Sequence, residues 1–436
     1  MRPATGRVDE RVVSFDEALE IVLAEAAKVG RPAVETVGIS ESVGRVLADT
    51  VAADRDQPPF DRSTRDGFAV HAEDAMAGTW LGVAGQVQAG HVWEQGPLAP
   101  DQAIEIMTGA PVPEGADAVV MLEHVEHSGA GSMRAIRLTE GRQVVPGGNI
   151  VPRGSEARGG APVLEAGTEM DAAAVALAAA CGAATLKVFA QPTVSILATG
   201  DELVDVSEAP GPQQIRNSNS YGLEALVNLA GGRPLRQPVV RDRRDDLERA
   251  ILMARAADLE AQTADLGARA ADLMLLTGGV SMGEYDLVEE VLLGLGAEFF
   301  FTGVRMQPGK PVVFGRLPEL EGRAAVYFFG LPGNPVSTQV TFACFVESLL
   351  RAIRGAAIEG PRFAQATLGD EVAGRPELTR ILPARLTSKR VGPEVRLVVW
   401  QGSGDMAANA RANCYAVLPA EVKRFRAGDV ITVLLR

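Results

Sequence analysis

The sequence predicts a multidomain chain with a doubly wound α/β domain at its centre and β-rich modules on either side. Three observations carry this. From 193 to 354, strand-like and helix-like runs alternate (TVSILATG, SYGLEALVNLAG, LRQPVV, DDLERAILMARAADLEAQTADLGARA, LMLLTGG and onward), as in a sheet wrapped by helices. Within that block the loops TGGVSMGEYD (277 to 286) and GLPGNPVS (330 to 337) directly follow apolar strand-like runs, with MQPGKP (306 to 311) between them. Residues 55 to 140 and the tail from about 360 instead break into short strand-like pieces at Gly and Pro turns.

Taken in order, residues 14 to 29 (SFDEALEIVLAEAAKV) carry a capping serine, an acidic residue three positions on, and helical periodicity. DGFAV, WLGVAGQVQAG and ADAVVMLEHVE read as strands. After RGSEARGGAPV (153 to 163) an alanine-rich helix resumes, so the strand-rich block reads as an insertion into a helical domain. The stretch AAAVALAAACGAATL (172 to 186), flanked by Asp171 and Lys187, is expected as a buried helix and not a membrane span. In the tail, RILPARL, VRLVVW, YAVLPA and DVITVLL predict a small β barrel or sandwich.

Composition narrows the function classes. The 436 residues carry 42 basic and 56 acidic side chains, a net charge of −14, which disfavours nucleic acid as a partner. Cys181, Cys344 and Cys414 lie far apart with no CxxC or Cys/His cluster, which predicts buried thiols, a reducing cytoplasm and no structural zinc. The opening MRPATGRVDERVV is charged without an apolar core, so neither a signal peptide nor membrane insertion is expected.

The loops point to an anion pocket. Gly278 and Gly279 let the backbone turn tightly after LMLL (273 to 276), and Asp286 opens the amphipathic run DLVEEVLLGLG. After AAVYFFG (324 to 330), Asn334 is suited to N-cap and Pro335 to the first helical position of PVSTQVTFACFVESLLRAI. Both helix starts would aim backbone N–H groups and a positive dipole end at a phosphate or oxyanion above the strand ends. Residues 279 to 283 spell GxSxG, yet a nucleophile elbow needs its histidine downstream, and His71, His91, His124 and His127 all precede Ser281. Its hydroxyl is expected to hydrogen-bond a bound anion or to cap the loop.

Acidic residues supply the second half of the chemistry. Asp201 and Glu202 follow TVSILATG, Asp242 follows PVV, and Asp286 follows TGG, so three strand ends can converge carboxylates on one rim. Beside phosphate loops that pattern suits Mg²⁺ held between carboxylates and ligand; the alternative is that each Asp caps the next helix.

At these residues the chain resembles the molybdopterin molybdenumtransferase family, which includes bacterial molybdenum-insertion enzymes and the E domain of gephyrin. The resemblance runs through PPFDRSTRDGFAV (58 to 70), IMTGAPVPEGADAVVMLE (106 to 123), NIVPRGSE (149 to 156), ATGDELV, LLTGGVSMGEYD, QPGKP and GLPGNPVS. It implies a helical domain I (8–54 and 141–188), an inserted β-rich domain II (55–140), a molybdopterin-binding α/β domain III (189–356) and a C-terminal β-barrel-like domain IV (357–436). It further implies a homodimer whose active site lies between the α/β domain of one chain and the inserted domain of the other.

The implied substrates are adenylylated molybdopterin and molybdate, with AMP released as metal passes to the dithiolene. Glu202, Asp242 and Asp286 match Mg²⁺-associated positions, and Lys310 a basic residue near molybdate. Asp66 and Thr108 match positions from the inserted domain, Pro332, Gly333 and Pro335 shape the last loop, and Arg380 and Ser403 match molybdate contacts in the tail. The chain departs from the pattern at Gln307, where the family has a basic residue, at Phe68 for Tyr, and at Ser155-Glu156 for an acidic pair. Transient contact with a molybdopterin adenylyltransferase and with molybdoenzyme apoproteins is the implied partnership. A noncatalytic scaffold, or a molybdopterin adenylyltransferase, are the rival readings.

Overall fold

The computed structural model describes residues 10–255, 270–279, 287–319 and 325–436. Its contacts divide the chain into two compact units: Met1–Glu35, Gly44–Ala48 and Lys187–Arg436 in the first, Thr36–Val43 and Asp49–Leu186 in the second.

Helix α1 (Phe15–Ala26) starts where expected, with Ser14 Oγ accepting from the Glu17 N–H. Its buried stripe of Phe15, Ala18, Val22 and Ala26 recurs at helical spacing and joins the core of the α/β sheet in the first unit.

The second unit is built on a six-stranded sheet: β1 (Gly67–Val70), β2 (Trp80–Val87), β3 (Gln102–Ile106), β4 (Ala118–Met121), β5 (Val125–Ser128) and β6 (Ala135–Leu138), in the order β4-β1-β3-β2-β6-β5. Strand alternation sends Phe68 and Val70 to one core cluster and Ala69 to another, so β1 is buried on both faces. Helix α2 (Ala172–Ala180) is shorter than expected: Gly182, at φ +79°, ends it, and 185–189 is a strand. Leu177 is exposed and only Ala174 and Ala178 are buried, which corrects the expectation of a fully buried helix.

The central sheet of the first unit contains β7 (Thr193–Ala198), β8 (Arg233–Arg236), β9 (Leu273–Thr277), β10 (Glu298–Phe301), β11 (Val313–Leu317) and β12 (Val326–Leu331), in the order β8-β7-β9-β12-β11-β10. The first four are parallel and β11 is antiparallel to both its neighbours. Helices α3 (Ser218–Leu229) and α6 (Pro335–Ile353) join α1 in the cluster on one face, and α4 (Arg244–Arg255) and α5 (Leu287–Gly294) line the other, which is the double winding expected. By length and composition α6 could cross a membrane, but it is mostly buried in this core; one wider turn, Phe342–Val346, interrupts it.

In the tail, β13 (Phe363–Leu368), β14 (Thr379–Thr387), β15 (Glu394–Leu397), β16 (Cys414–Leu418) and β17 (Val430–Leu435) pair in a ring, β14-β15-β13-β17-β16-β14. This is a closed five-stranded barrel filled by Leu368, Leu382, Val395, Ala416 and Val433. Its helix α7 (Met406–Arg411) is capped by Asp405.

Candidate functional site

The site of the first unit is built at the C-terminal ends of β7, β9 and β12, where an open parallel sheet binds ligands. The end of β7 is tied sideways: Thr199 bridges Val240 in parallel and its hydroxyl donates to Asp242 Oδ1 at 2.5 Å. Glu202, two residues beyond Gly200, folds its carboxylate back so that a Cβ on Gly200 would lie 2.6 Å from Oε2. Glu202 and Asp242 stand on loops that follow the adjacent strands β7 and β8. Asp286, the third expected carboxylate, and Ser281 lie outside the described residues.

Gly278 and Gly279 have φ of +90° and +62°. A Cβ on Gly278 would sit 2.2 Å from the Thr199 carbonyl oxygen, and one on Gly279 2.9 Å from Val288 Cγ2, so side chains are excluded where the β9 loop crosses the end of β7. The next loop lies alongside at ordinary contact distance, since a Cβ on Gly333 would be 3.8 Å from Gly278 Cα. Asn219, on the first turn of α3, links the two loops: its Nδ2 donates to Thr277 Oγ1 at 3.1 Å and to the Gly333 carbonyl at 2.7 Å. Its Oδ1 is buried without a partner among the described residues. The sequence reading missed Asn219; its position at a helix start between two strands was the available signal.

Asn334 occupies the N-cap position of α6 with Pro335 next, as expected, but its side chain makes no capping bond. Instead the Thr338 hydroxyl donates to the carbonyls of Pro332 (2.6 Å) and Asn334 (3.1 Å). The Val336 N–H is also already engaged, by the Ser403 carbonyl at 3.0 Å. The helix start thus offers an anion fewer free donors than expected, and the same bond fastens the tail segment carrying Ser403 to the site.

The result is a cleft of ≈ 410 Å³ between the Met306–Pro311 loop, Pro332, Asn334 and Ser337, and Trp400, Gly402 and Ser403 of the tail. The loop is pinched by the Val304 N–H donating to the Lys310 carbonyl at 2.9 Å, and Gly309, at φ +109°, lies against Thr341. Gln307, Lys310, Pro332, Asn334 and Ser403 are brought together here, while Gly333 and Pro335 are not among the residues lining the cleft. Arg380 stands opposite Gln307 in a parallel pairing. Its guanidinium pKa is held below the usual arginine value, first by burial and then by the charge of Arg375. Arg375, also missed, donates from Nη1 to Gln307 Oε1 at 3.2 Å.

In the second unit the structure joins the other two expected residues, because Asp66 Oδ1 accepts the backbone N–H of Thr108 at 2.8 Å. Next to Asp66, Gly67 is held tightly against β4, where a Cβ would fall 1.9 Å from the Val120 carbonyl oxygen. Cys181, Cys344 and Cys414 are free and buried, as expected of packing residues.

A doubly wound sheet with two neighbouring glycine loops at its strand ends defines an α/β protein of the ligand-binding type. Residues 13–182 match the MoeA N-terminal region (domain I and II), 195–352 a probable molybdopterin binding domain, and 365–435 the MoeA C-terminal region (domain IV). The chain is 31% identical over 430 residues to a molybdopterin molybdenumtransferase of Staphylococcus aureus (strain COL), covering 97% of this chain and 95% of that one. A Staphylococcus epidermidis molybdopterin molybdenumtransferase (strain ATCC 12228) is also 31% identical, over 432 residues with the same coverage. The crystal structure of the molybdopterin biosynthesis moeA protein of Pyrococcus horikoshii OT3 superposes with a TM-score of 0.75 at 28% identity, over 98% of this chain and 100% of that one. The chain belongs to the molybdopterin molybdenumtransferase family, enzymes of molybdenum cofactor biosynthesis.

Proposed function

We propose that this chain inserts molybdenum from molybdate into adenylylated molybdopterin, with Mg²⁺-dependent release of AMP. The observation carrying this reading is that Asp242 bonded to Thr199, Gly278 packed against the Thr199 carbonyl, and Gly333 lying near Gly278 stand at neighbouring strand ends, with Pro332 and Asn334 on either side of Gly333 lining the cleft that holds Lys310 and Ser403. A carboxylate rim, a backbone surface without side chains and a cationic cleft adjoin in the order in which a metal-bound pyrophosphate and an oxyanion would have to lie.

In this mechanism Gly278 and Gly279 let the β9 loop pack tightly against Thr199 and Val288, which sets where its backbone meets the pyrophosphate, and Asn219 keeps the two loops at a fixed separation. Lys310 supplies positive charge to the oxyanion end. Glu202 and Asp242 fit Mg²⁺, a hard cation that is commonly held by one or two carboxylates plus substrate phosphates, and Asp286 is proposed as a further ligand. Bound there, Mg²⁺ would neutralise charge on the phosphates. Thr199 holds the Asp242 carboxylate in one orientation, which reduces the reorganisation needed when substrate arrives.

The proposal extends to the whole assembly. Domains I to IV are taken at 8–54 with 141–188, 55–140, 189–356 and 357–436. Asp66 and Thr108 would reach the site from the other chain of a cytoplasmic homodimer that meets a molybdopterin adenylyltransferase and molybdoenzyme apoproteins transiently. The test is AMP release from adenylylated molybdopterin by the purified chain. Release that needs both Mg²⁺ and molybdate supports the reading, whereas no release at saturating molybdate favours a noncatalytic scaffold.

A further inference from the structure

Two arginines, Arg375 and Arg380, lie against Gln307, and Lys310 lines the same cleft. Arg305 and Lys310 bracket the loop, Arg380 pairs with Gln307 across the parallel bridge, and Arg375 donates to the Gln307 side chain. Among the described residues none of the four has a carboxylate within salt-bridge distance. Arg396 and Arg424 of the same barrel region do have carboxylate partners, Asp370 at 2.9 Å and Glu371 at 2.6 Å, whereas Arg385 and Arg411, like Arg375, have none among the described residues. Arg305 is turned away, its Nη1 donating to the Val12 carbonyl at 3.2 Å. Arg380 uses Nη1 on the Ala373 carbonyl at 2.8 Å, and its Nε is buried without a partner.

What sets the pair of Arg375 and Arg380 apart is that two guanidinium groups share one side of a cleft and that the Nε of Arg380 is buried without a partner. Arg375 and Arg380 repel one another, which adds to the larger effect of burial in lowering the pKa of Arg380. An anion placed between them would relieve that repulsion, and a guanidinium's planar fork matches two oxygens of a tetrahedral oxyanion. Gln307 contributes no charge, but its Oε1 accepts from Arg375 and so directs that side chain toward the loop.

We propose that Arg375, positioned by Gln307, is a specificity-determining cation that binds a tetrahedral dianion at the Gln307–Lys310 end of the cleft. It would set the affinity of this enzyme for molybdate in place of a charge at 307. The inference deepens the functional reading above and rests on it for the identity of the dianion. The same chemistry could serve a phosphate of the nucleotide-bearing substrate, and the test separates the two.

Calorimetric titration of the full chain with sodium molybdate, and separately with AMP, is the direct experiment, because it needs no turnover. Arg375→Ala, at an exposed position, is expected to weaken molybdate binding about tenfold and leave AMP binding unchanged, a difference near 1.4 kcal/mol. Gln307→Lys alone should not tighten molybdate, since it sets a like charge against Arg375, whereas Arg375→Ala with Gln307→Lys should recover affinity to within about threefold of wild type. Gln307→Ala, with Arg375 released, should weaken binding less than Arg375→Ala does. Unchanged molybdate binding in Arg375→Ala overturns the proposal, as does a loss confined to AMP. Absence of AMP release by the wild-type chain would instead count against the overall reaction, while molybdate titration still decides the role of Arg375.

Discussion

The Thr199 hydroxyl donates a 2.5 Å hydrogen bond to Oδ1 of Asp242, tying the end of β7 to the carboxylate on the neighbouring loop. Two side chains 43 residues apart thus fix the edge of the proposed metal rim. Thr199→Val keeps the shape of a buried residue and removes this bond, worth roughly 1.5–3 kcal/mol to a charged acceptor. The concentration of Mg²⁺ giving half-maximal AMP release should rise about tenfold or more, with little change in half-maximal molybdate. Asp242→Asn should lower turnover by at least about tenfold in a folded protein. An unchanged Mg²⁺ requirement in both variants would show that Asp242 serves only the loop.

Asn219 is expected to matter through geometry. Asn219→Asp removes both donated bonds and turns an anionic oxygen toward the Gly333 carbonyl. The expected result is a KM for adenylylated molybdopterin raised by roughly tenfold and a loss of about 1–3 kcal/mol in unfolding free energy from the broken bonds. Urea unfolding alongside steady-state kinetics measures both. Lost stability with wild-type KM would make Asn219 a structural residue only.

Gly278→Ala tests the backbone surface. The new Cβ would meet the Thr199 carbonyl oxygen at 2.2 Å in a conformation with φ +90°, so the loop must move. Left-handed strain alone costs roughly 1–2 kcal/mol. Thermal unfolding should move down and AMP release should fall by at least about a hundredfold. Full activity in Gly278→Ala would mean that phosphate does not approach this turn.

Alkaline stability should be limited by buried thiols. Burial pushes Cys414 up from 9.0 to about 11, and the fully buried Cys344 further. Folding thus favours the protonated form, so the stabilisation is complete below the unfolded thiol pKa and is lost as pH rises toward the folded value. For Cys414 the loss is on the order of 2 kcal/mol by about pH 11. Cys414→Ala should flatten that decline in urea unfolding from pH 8 upward, and an identical alkaline decline in the variant would contradict this.

The elements that were legible in the sequence are those whose chemistry is local. Ser14 caps α1, Gly278 and Gly279 turn β9, and Pro335 opens α6, because each residue acts within its own turn. The tail strands were legible as a set, although their closure into a barrel depends on the β14–β16 pairing, which no short pattern encodes. What escaped depends on distant partners: Asn219 reaches across 58 and 114 residues, and Arg375 reaches Gln307 across 68. The Asp66 carboxylate accepts from a backbone N–H 42 residues away, a partner with no side-chain signature. The Val336 N–H appeared free from helix rules and is taken by Ser403, whose approach is set by tertiary packing.

The most direct test of the account measures AMP and pterin-bound molybdenum in the same single-turnover reaction, with Mg²⁺ and molybdate present and the chain in excess over adenylylated molybdopterin. The account predicts that the two products appear together in about one-to-one ratio, as expected when one site couples both events, and that both vanish when either Mg²⁺ or molybdate is omitted. AMP formed at full rate without molybdate, or molybdenum incorporated without AMP release, would contradict it.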